Sequence, residues 1–388
     1  MTSYATAVLH PVTEDLFFSE IWERKHCHIK RDDSANFQAL ISVDDIHRYL
    51  STHSVSHPAI QLVHSTQNIS PSEYTDAQRK INPVVLDEYF SQGATVVLSQ
   101  AHQHFHALAT FSRDVAKQFQ MRAQTNVYLS PPGNQGFRSH YDTHDVFILQ
   151  VSGRKRFRFY PSDVALPFPD DEYDPEQNPH TDITEEILLE AGDTLYIPRG
   201  LVHDAVAMPD ASSLHITLGV FPVIVRDLLQ TCIQVAAEQD VALRETWALE
   251  RSGSKVTPSL EVDAVSELIQ RCLSPEQISE AYSRAVDDMA IESVPLCQPM
   301  FQRHAISVDS KVSFVHEALF GYERRGRTLK LRTHGQIMSF DEPLSSALEQ
   351  LLISGPLLVN NISGLDADQQ LALCSHLQNA HVLHVQNT

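Results

Sequence analysis

His140-Tyr141-Asp142-Thr143-His144-Asp145-Val146-Phe147-Ile148-Leu149-Gln150-Val151 is the stretch on which the fold turns. It joins an imidazole and a carboxylate to an apolar run. On an extended chain, residues two apart point to the same face. His140 and Asp142 are therefore expected side by side, with Tyr141 turned away. Val146 to Val151 is apolar at all but one position, as in a strand buried on both faces. Spacing alone leaves His144 as a second partner for Asp142. Only the residues flanking His140 favour His140.

Further along, Gly192-Asp193-Thr194-Leu195-Tyr196-Ile197-Pro198-Arg199-Gly200-Leu201-Val202-His203 carries the next ligand type. Gly192-Asp193 suits a tight turn. Leu195 to Ile197 reads as a short strand, and Pro198 and Gly200 bend the chain so that His203 turns inward. His140, Asp142 and His203 would then form a two-histidine, one-carboxylate face, the ligand set of non-haem iron(II) oxygenases. Three protein ligands leave the opposite face of an octahedral ion free for a chelating cosubstrate and O2. A closed four-ligand site would be structural. Two neutral imidazoles and one carboxylate leave Fe(II) with one net positive charge, which favours an anionic chelator such as 2-oxoglutarate. An isolated His-x-Asp is a weak signal and is often a solvated strand end. The ordered pair of motifs is a strong one.

The segments Pro131–Phe137, His140–Tyr160 and Ala191–His203 resemble the JmjC/cupin-type ribosomal oxygenases, Fe(II)- and 2-oxoglutarate-dependent protein hydroxylases. The strong likeness covers about a quarter of the chain, and a fainter one reaches the Phe17–Arg31 segment. It implies an α+β chain built on a double-stranded β-helix, the cupin/JmjC jelly-roll barrel. His140, Asp142 and His203 stand at the iron-ligand positions. Lys155 stands where a basic residue holds the distal carboxylate of 2-oxoglutarate, since a buried carboxylate without a partner is costly. Asn126 and Tyr128 match cosubstrate-contacting positions, two apart on a neighbouring strand, and Thr217 matches a further small polar position. His215, on the same face as Thr217, reads as pocket wall or core histidine. The implied cofactors are Fe(II), 2-oxoglutarate and O2, and the implied outcome is hydroxylation of a histidyl or arginyl side chain of a ribosomal protein. Rival readings are hydroxylation of a small peptide or metabolite, histone demethylation by the same chemistry, and a catalytically silent scaffold.

The 388 residues suggest two or three domains. We read residues 1–225 as the oxygenase domain with its N-terminal extension. Residues 226–300 read as a helical module, which the resemblance makes a dimerisation domain. Residues 301–388 read as a small α+β unit, which the resemblance makes winged-helix-like. Forty-nine acidic against 29 basic residues give a net charge of −20. That excludes a broad nucleic-acid surface and suits a basic protein partner. Arg324, Arg325, Arg327, Lys330 and Arg332 form a local basic cluster, but the overall charge argues against direct DNA binding. Five scattered cysteines without a Cys-x-x-Cys fit free thiols in a reducing cytoplasm. No run of 18 apolar residues suggests a membrane span, and no signal peptide is visible.

In the N-terminal part, Thr13 and Ser42 read as helix caps. Gly93 to Leu98 reads as a strand, and Phe105, Leu108, Phe111, Val115 and Phe119 lie on one face of a helix. Pro167 to Pro179 is an acidic, proline-rich loop. It is an ordinary solvated excursion or, if it borders the site, a receiver for a basic substrate. In the C-terminal part, Thr328 to Phe340 reads as a hairpin turning at His334-Gly335, followed by helices opening near Asp341 and Asp366 and a last strand at His381 to Val385.

Overall fold

The computed structural model describes residues 4–171, 173–174, 182–246, 249–252, 255–258, 262–293 and 304–386. The chain divides into two compact units, Met1–Phe221 and Pro222–Thr388.

Among the described residues the first unit contains ten strands: β1 (Cys27–Ile29), β2 (Ile60–Val63), β3 (Thr95–Leu98), β4 (Arg122–Ser130), β5 (Asp145–Ser152), β6 (Lys155–Phe159), β7 (Glu185–Leu189), β8 (Thr194–Ile197), β9 (His203–Ala207) and β10 (Ser213–Phe221). Seven form one sheet in the order β1-β8-β5-β10-β4-β3-β2, and three form a second in the order β7-β6-β9. Every pairing is antiparallel. Two antiparallel sheets facing each other make the jelly-roll sandwich of a cupin.

The two-residue period of the strands explains why both faces of the large sheet are apolar. Along β5, Val146 and Ile148 point inward and meet Phe157, Phe159, Ile187 and Leu189 of the small sheet. Phe147, Leu149 and Val151 point outward into a larger core. That core is closed by α1 (Tyr4–Leu9), α2 (Glu14–Glu20) and α5 (His106–Phe119), while α3 (Val43–Thr52) and α4 (Pro83–Ser91) complete the extension. Residues 146–151 are all buried, which is why every one of them but Gln150 is apolar. The inward positions of β4 and β10 are different: Asn126, Tyr128, His215 and Thr217 line a pocket. Val127, Leu214, Ile216 and Leu218 on the same strands face the helices.

The helix signals hold. The Thr13 hydroxyl accepts from the Leu16 N–H, and Ser42 closes a reciprocal capping box with Asp45. Leu108, Phe111, Val115 and Phe119 form the buried face of α5. Phe18 and Trp22 meet at 5.6 Å.

The second unit opens with α6 (Val225–Gln239), α7 (Val262–Cys272) and α8 (Pro275–Glu292). Cys232 and Val235 of α6 pack against Ala281 of α8. A meander of Leu319–Arg325, Thr328–Thr333 and Gln336–Phe340 follows, with Gly335 at φ +94° in the expected turn. Helices α9 (Leu344–Ile353) and α10 (Ala367–Asn379) and the strand Leu383–Gln386 complete it. Most of the basic cluster is spent on internal ion pairs. Arg332 binds Asp287 at 2.6 Å and Glu323 at 2.6 Å, Lys330 binds Asp287 at 2.8 Å, and Arg324 binds Glu342 and Glu349, each at 2.6 Å. Arg325 pairs with Glu280 and Glu323. Residues 294–303, which span the expected boundary near residue 300, lie outside the described residues.

Candidate metal centre

His140 and Asp142 lie side by side, as their spacing suggested, on the segment between β4 and β5, where His140 forms an isolated antiparallel bridge with His203. What fixes them is the backbone of β9. The His140 N–H donates to the His203 carbonyl at 3.0 Å, and the His203 N–H returns to the His140 carbonyl at 2.8 Å. The Gly200 N–H donates to the Asp142 carbonyl at 3.0 Å. The loop and the turn into β9 are thus tied together before any ligand is considered. Gly200 has φ +86°, and a Cβ there would lie 2.5 Å from the Val164 carbonyl oxygen, so the turn needs glycine. Tyr141 points away as expected, its ring edge-on to Tyr173 at 5.0 Å. Tyr173 belongs to the acidic loop, of which residues 172 and 175–181 lie outside the described residues.

His140, Asp142 and His203 each present one ligand atom, and these atoms lie within 4.8 Å of one another. His203 Nε2 is 3.8 Å from Asp142 Oδ2. The two imidazoles are poised in the tautomer that a metal requires. His140 Nδ1 lies 2.8 Å from the Arg138 carbonyl, and His203 Nδ1 lies 2.9 Å from the Leu201 carbonyl. A carbonyl only accepts, so each Nδ1 carries the proton and each Nε2 lone pair faces the cluster. Burial and the neighbouring His140 push the His203 imidazole below its usual range, which keeps it neutral. Burial alone would raise the Asp142 carboxyl, but His140, His203 and His144 together hold it below the ordinary carboxylate value. Two imidazole nitrogens and one carboxylate oxygen around a shared space fit a divalent ion with open positions. His144 does not join them: its ring packs over Gly219 and stacks on Phe221 at 4.6 Å.

Lys155, at the start of β6, lines the same pocket and is 4 % exposed. Its Nζ donates to Ser130 Oγ at 3.1 Å, and no carboxylate pairs with it among the described residues. Burial draws its pKa down to about 7. A buried cation without a counterion fits an anionic ligand supplied from outside. Asn126, Tyr128 and Thr217 line the pocket together, and Asn126 Oδ1 accepts from the Gln100 N–H at 2.9 Å. Burial and then Asp142 raise the Tyr128 pKa, so it stays a phenol.

Sequence reading missed several supports. Asp204 follows His203 on β9 and receives Arg158 on both oxygens, at 2.6 and 2.8 Å, with the Tyr160 hydroxyl at 2.9 Å and the Gln135 amide at 3.2 Å. Its partners lie 46, 44 and 69 residues away, so no local spacing announced them. Ser130 was legible in principle: it continues the inward set Asn126, Tyr128 along β4.

Residues 100–228 match the JmjC domain family, a span that holds the whole cluster and β4 to β10. The chain is 30 % identical over 308 residues to a bifunctional lysine-specific demethylase and histidyl-hydroxylase NO66 of Drosophila willistoni, covering 73 % of this chain and 39 % of that protein. It is 29 % identical over 261 residues to ribosomal oxygenase 1 of Danio rerio, covering 63 % and 46 %. The chain thus spans less than half the length of these curated relatives. Among solved structures, the Escherichia coli ribosomal oxygenase YcfD shares the fold with a TM-score of 0.53 at 17 % identity, covering 97 % of this chain and 99 % of that one. Its complex with cobalt and 2-oxoglutarate aligns with a TM-score of 0.52 at 18 % identity, with the same coverage of 97 % and 99 %. With the jelly-roll fold, these likenesses show a JmjC domain over residues 100–228 in a chain that is similar to the ribosomal oxygenases.

Proposed function

We propose that this protein is an Fe(II)- and 2-oxoglutarate-dependent oxygenase that hydroxylates a histidyl or arginyl side chain of a basic, ribosomal protein. The observation that carries the reading is the pairing, in one pocket, of a His140–Asp142–His203 cluster with the unpaired buried cation of Lys155. The histidyl-hydroxylase and ribosomal oxygenase relatives support it.

In this reading His140 Nε2, the Asp142 carboxylate and His203 Nε2 hold the metal. Lys155 holds the far carboxylate of the cosubstrate, and Asn126, Tyr128 and Thr217 line the wall beside it. Phe157 and Ile148 keep the pocket floor apolar and exclude water. Bound iron(II), with 2-oxoglutarate and O2, supplies the oxidation: one oxygen atom enters a substrate C–H bond, the other enters succinate, and CO2 leaves. Arg158 and Asp204 keep the His203 strand in place. The net charge of −20 favours encounter with a basic substrate. Incubating candidate basic ribosomal proteins with the enzyme, Fe(II) and 2-oxoglutarate should add the mass of one oxygen to one of them. No added oxygen on any of them would count against the substrate class.

The same reading makes the chain a cytoplasmic homodimer joined through residues 226–300, with domain limits near 225 and 300 and a winged-helix-like C-terminal module. Val225, Leu229 and Ile233, spaced by four on α6, are 73, 40 and 52 % exposed, an apolar stripe suited to a second copy. Cys27, Cys232, Cys272 and Cys374 are free thiols, as a reducing compartment requires. Among the described residues no helix is long and apolar enough to cross a membrane. Replacing Leu229 and Ile233 together with glutamate should give a monomer in sedimentation, and a persisting dimer would contradict this interface.

A further inference from the structure

One ring in the barrel interior has a polar atom with nothing to bond. His215 is 4 % exposed, and its Nδ1 has no hydrogen-bond partner. The large majority of buried polar side-chain atoms are satisfied, so an orphan calls for a reason. Packing accounts for the ring but not for its Nδ1. The imidazole lies parallel to the Tyr128 ring, at 4.8 Å with an interplanar angle of 1°, and edge-on to Phe157 at 6.4 Å. A phenylalanine would fill much of the same space without an orphan.

His215 lines the pocket that Lys155 lines. Burial, and then the Lys155 charge, hold the imidazole well below its usual pKa, so it is neutral and carries one N–H. Next to Lys155, Ser130 Oγ accepts from Lys155 Nζ at 3.1 Å and from Thr95 Oγ1 at 2.9 Å. With both acceptances made, Ser130 has only its own proton left to offer. Lys155 gives one of its three protons to Ser130 and keeps two. The surroundings of Lys155 are therefore rich in donors, and among the described residues no carboxylate pairs with it.

We propose that His215 is a binding residue for the distal carboxylate of the cosubstrate, donating a ring N–H to it alongside Lys155. The inference rests on the oxygenase reading above and adds a residue and a selectivity to it. A neutral donor suits the place, because a second cation would be repelled by Lys155. The two together demand a ligand that ends in a carboxylate, so keto acids that end in a methyl group are discriminated against.

The test is calorimetric titration of the full-length, Mn(II)-loaded protein with 2-oxoglutarate and with 2-oxobutyrate, which keeps the chelating end and lacks the distal carboxylate. His215→Phe retains a ring against Tyr128 but has no N–H. It should lose roughly ten- to a hundredfold in 2-oxoglutarate affinity, with Mn(II) and 2-oxobutyrate binding unchanged. His215→Asn, which keeps a short donor, should recover part of the loss. If His215→Phe keeps the wild-type preference for 2-oxoglutarate, or weakens both keto acids equally, the proposal is overturned. If the wild type binds neither keto acid, the oxygenase reading itself fails and the inference falls with it.

Discussion

Asp142→Ala should abolish iron binding while the fold survives. The carboxylate is the only anionic ligand of the cluster, so its loss removes a donor and leaves two neutral imidazoles facing a dication. Its role in the metal-free protein is small. The side chain is 28 % exposed, and its nearest ionic neighbour, His203 Nε2, stands at 3.8 Å. What holds the loop is the backbone: the Asp142 carbonyl receives the Gly200 N–H, and His140 and His203 exchange two further bonds. Alanine keeps all of these. Metal analysis after loading with Fe(II) should find the variant empty, with an unfolding temperature close to that of the metal-free wild type. Full iron occupancy in Asp142→Ala would contradict the ligand assignment.

Lys155→Ala should be the next largest effect, on the cosubstrate rather than on the metal. Leaving a buried carboxylate without its cation costs about 3–5 kcal/mol, which is roughly a hundred- to several-thousandfold in affinity. Binding should also depend on pH in a defined direction. Burial lowers the free Lys155 pKa to about 7, and an incoming carboxylate raises it again. Below pH 7 the lysine is already charged and no proton need be gained. Above pH 7 the free lysine is largely neutral, so binding takes up a proton and affinity falls as pH rises. Titration of the metal-loaded protein with 2-oxoglutarate in two buffers of different ionisation enthalpy, at pH 6.5 and pH 8.5, checks both. Equal affinity in Lys155→Ala, or no proton uptake at the higher pH, would refute the role.

The barrel and its cluster were readable because their signals are local. Val146 to Leu149 and Val151 have to be apolar when helices cover one face of the sheet and the small sheet covers the other, and the one polar residue of the run, the buried Gln150, donates to Ser213 Oγ and the Ser152 carbonyl. The Pro198–Gly200 bend announces itself because only glycine tolerates the turn at φ +86°. The period-two spacing placed His140 beside Asp142 as found, but not what fixes them: His140 is bridged by two backbone bonds to a residue more than fifty positions away, which local spacing cannot see. Non-local pairing also hid the Arg158–Asp204 clamp. In the second unit, helix and strand positions followed from caps, turns and periodicity. The pairing of the basic cluster with Asp287, Glu280 and Glu323 did not, because it joins side chains from separate elements.

The most direct measurement is release of succinate from 2-oxoglutarate by the purified protein, with and without added Fe(II), for the wild type and His140→Ala. Three side chains gripping one ion require succinate release that depends on iron in the wild type and falls to background in the variant. Equal release by His140→Ala and the wild type would contradict the assignment of this cluster as the metal site.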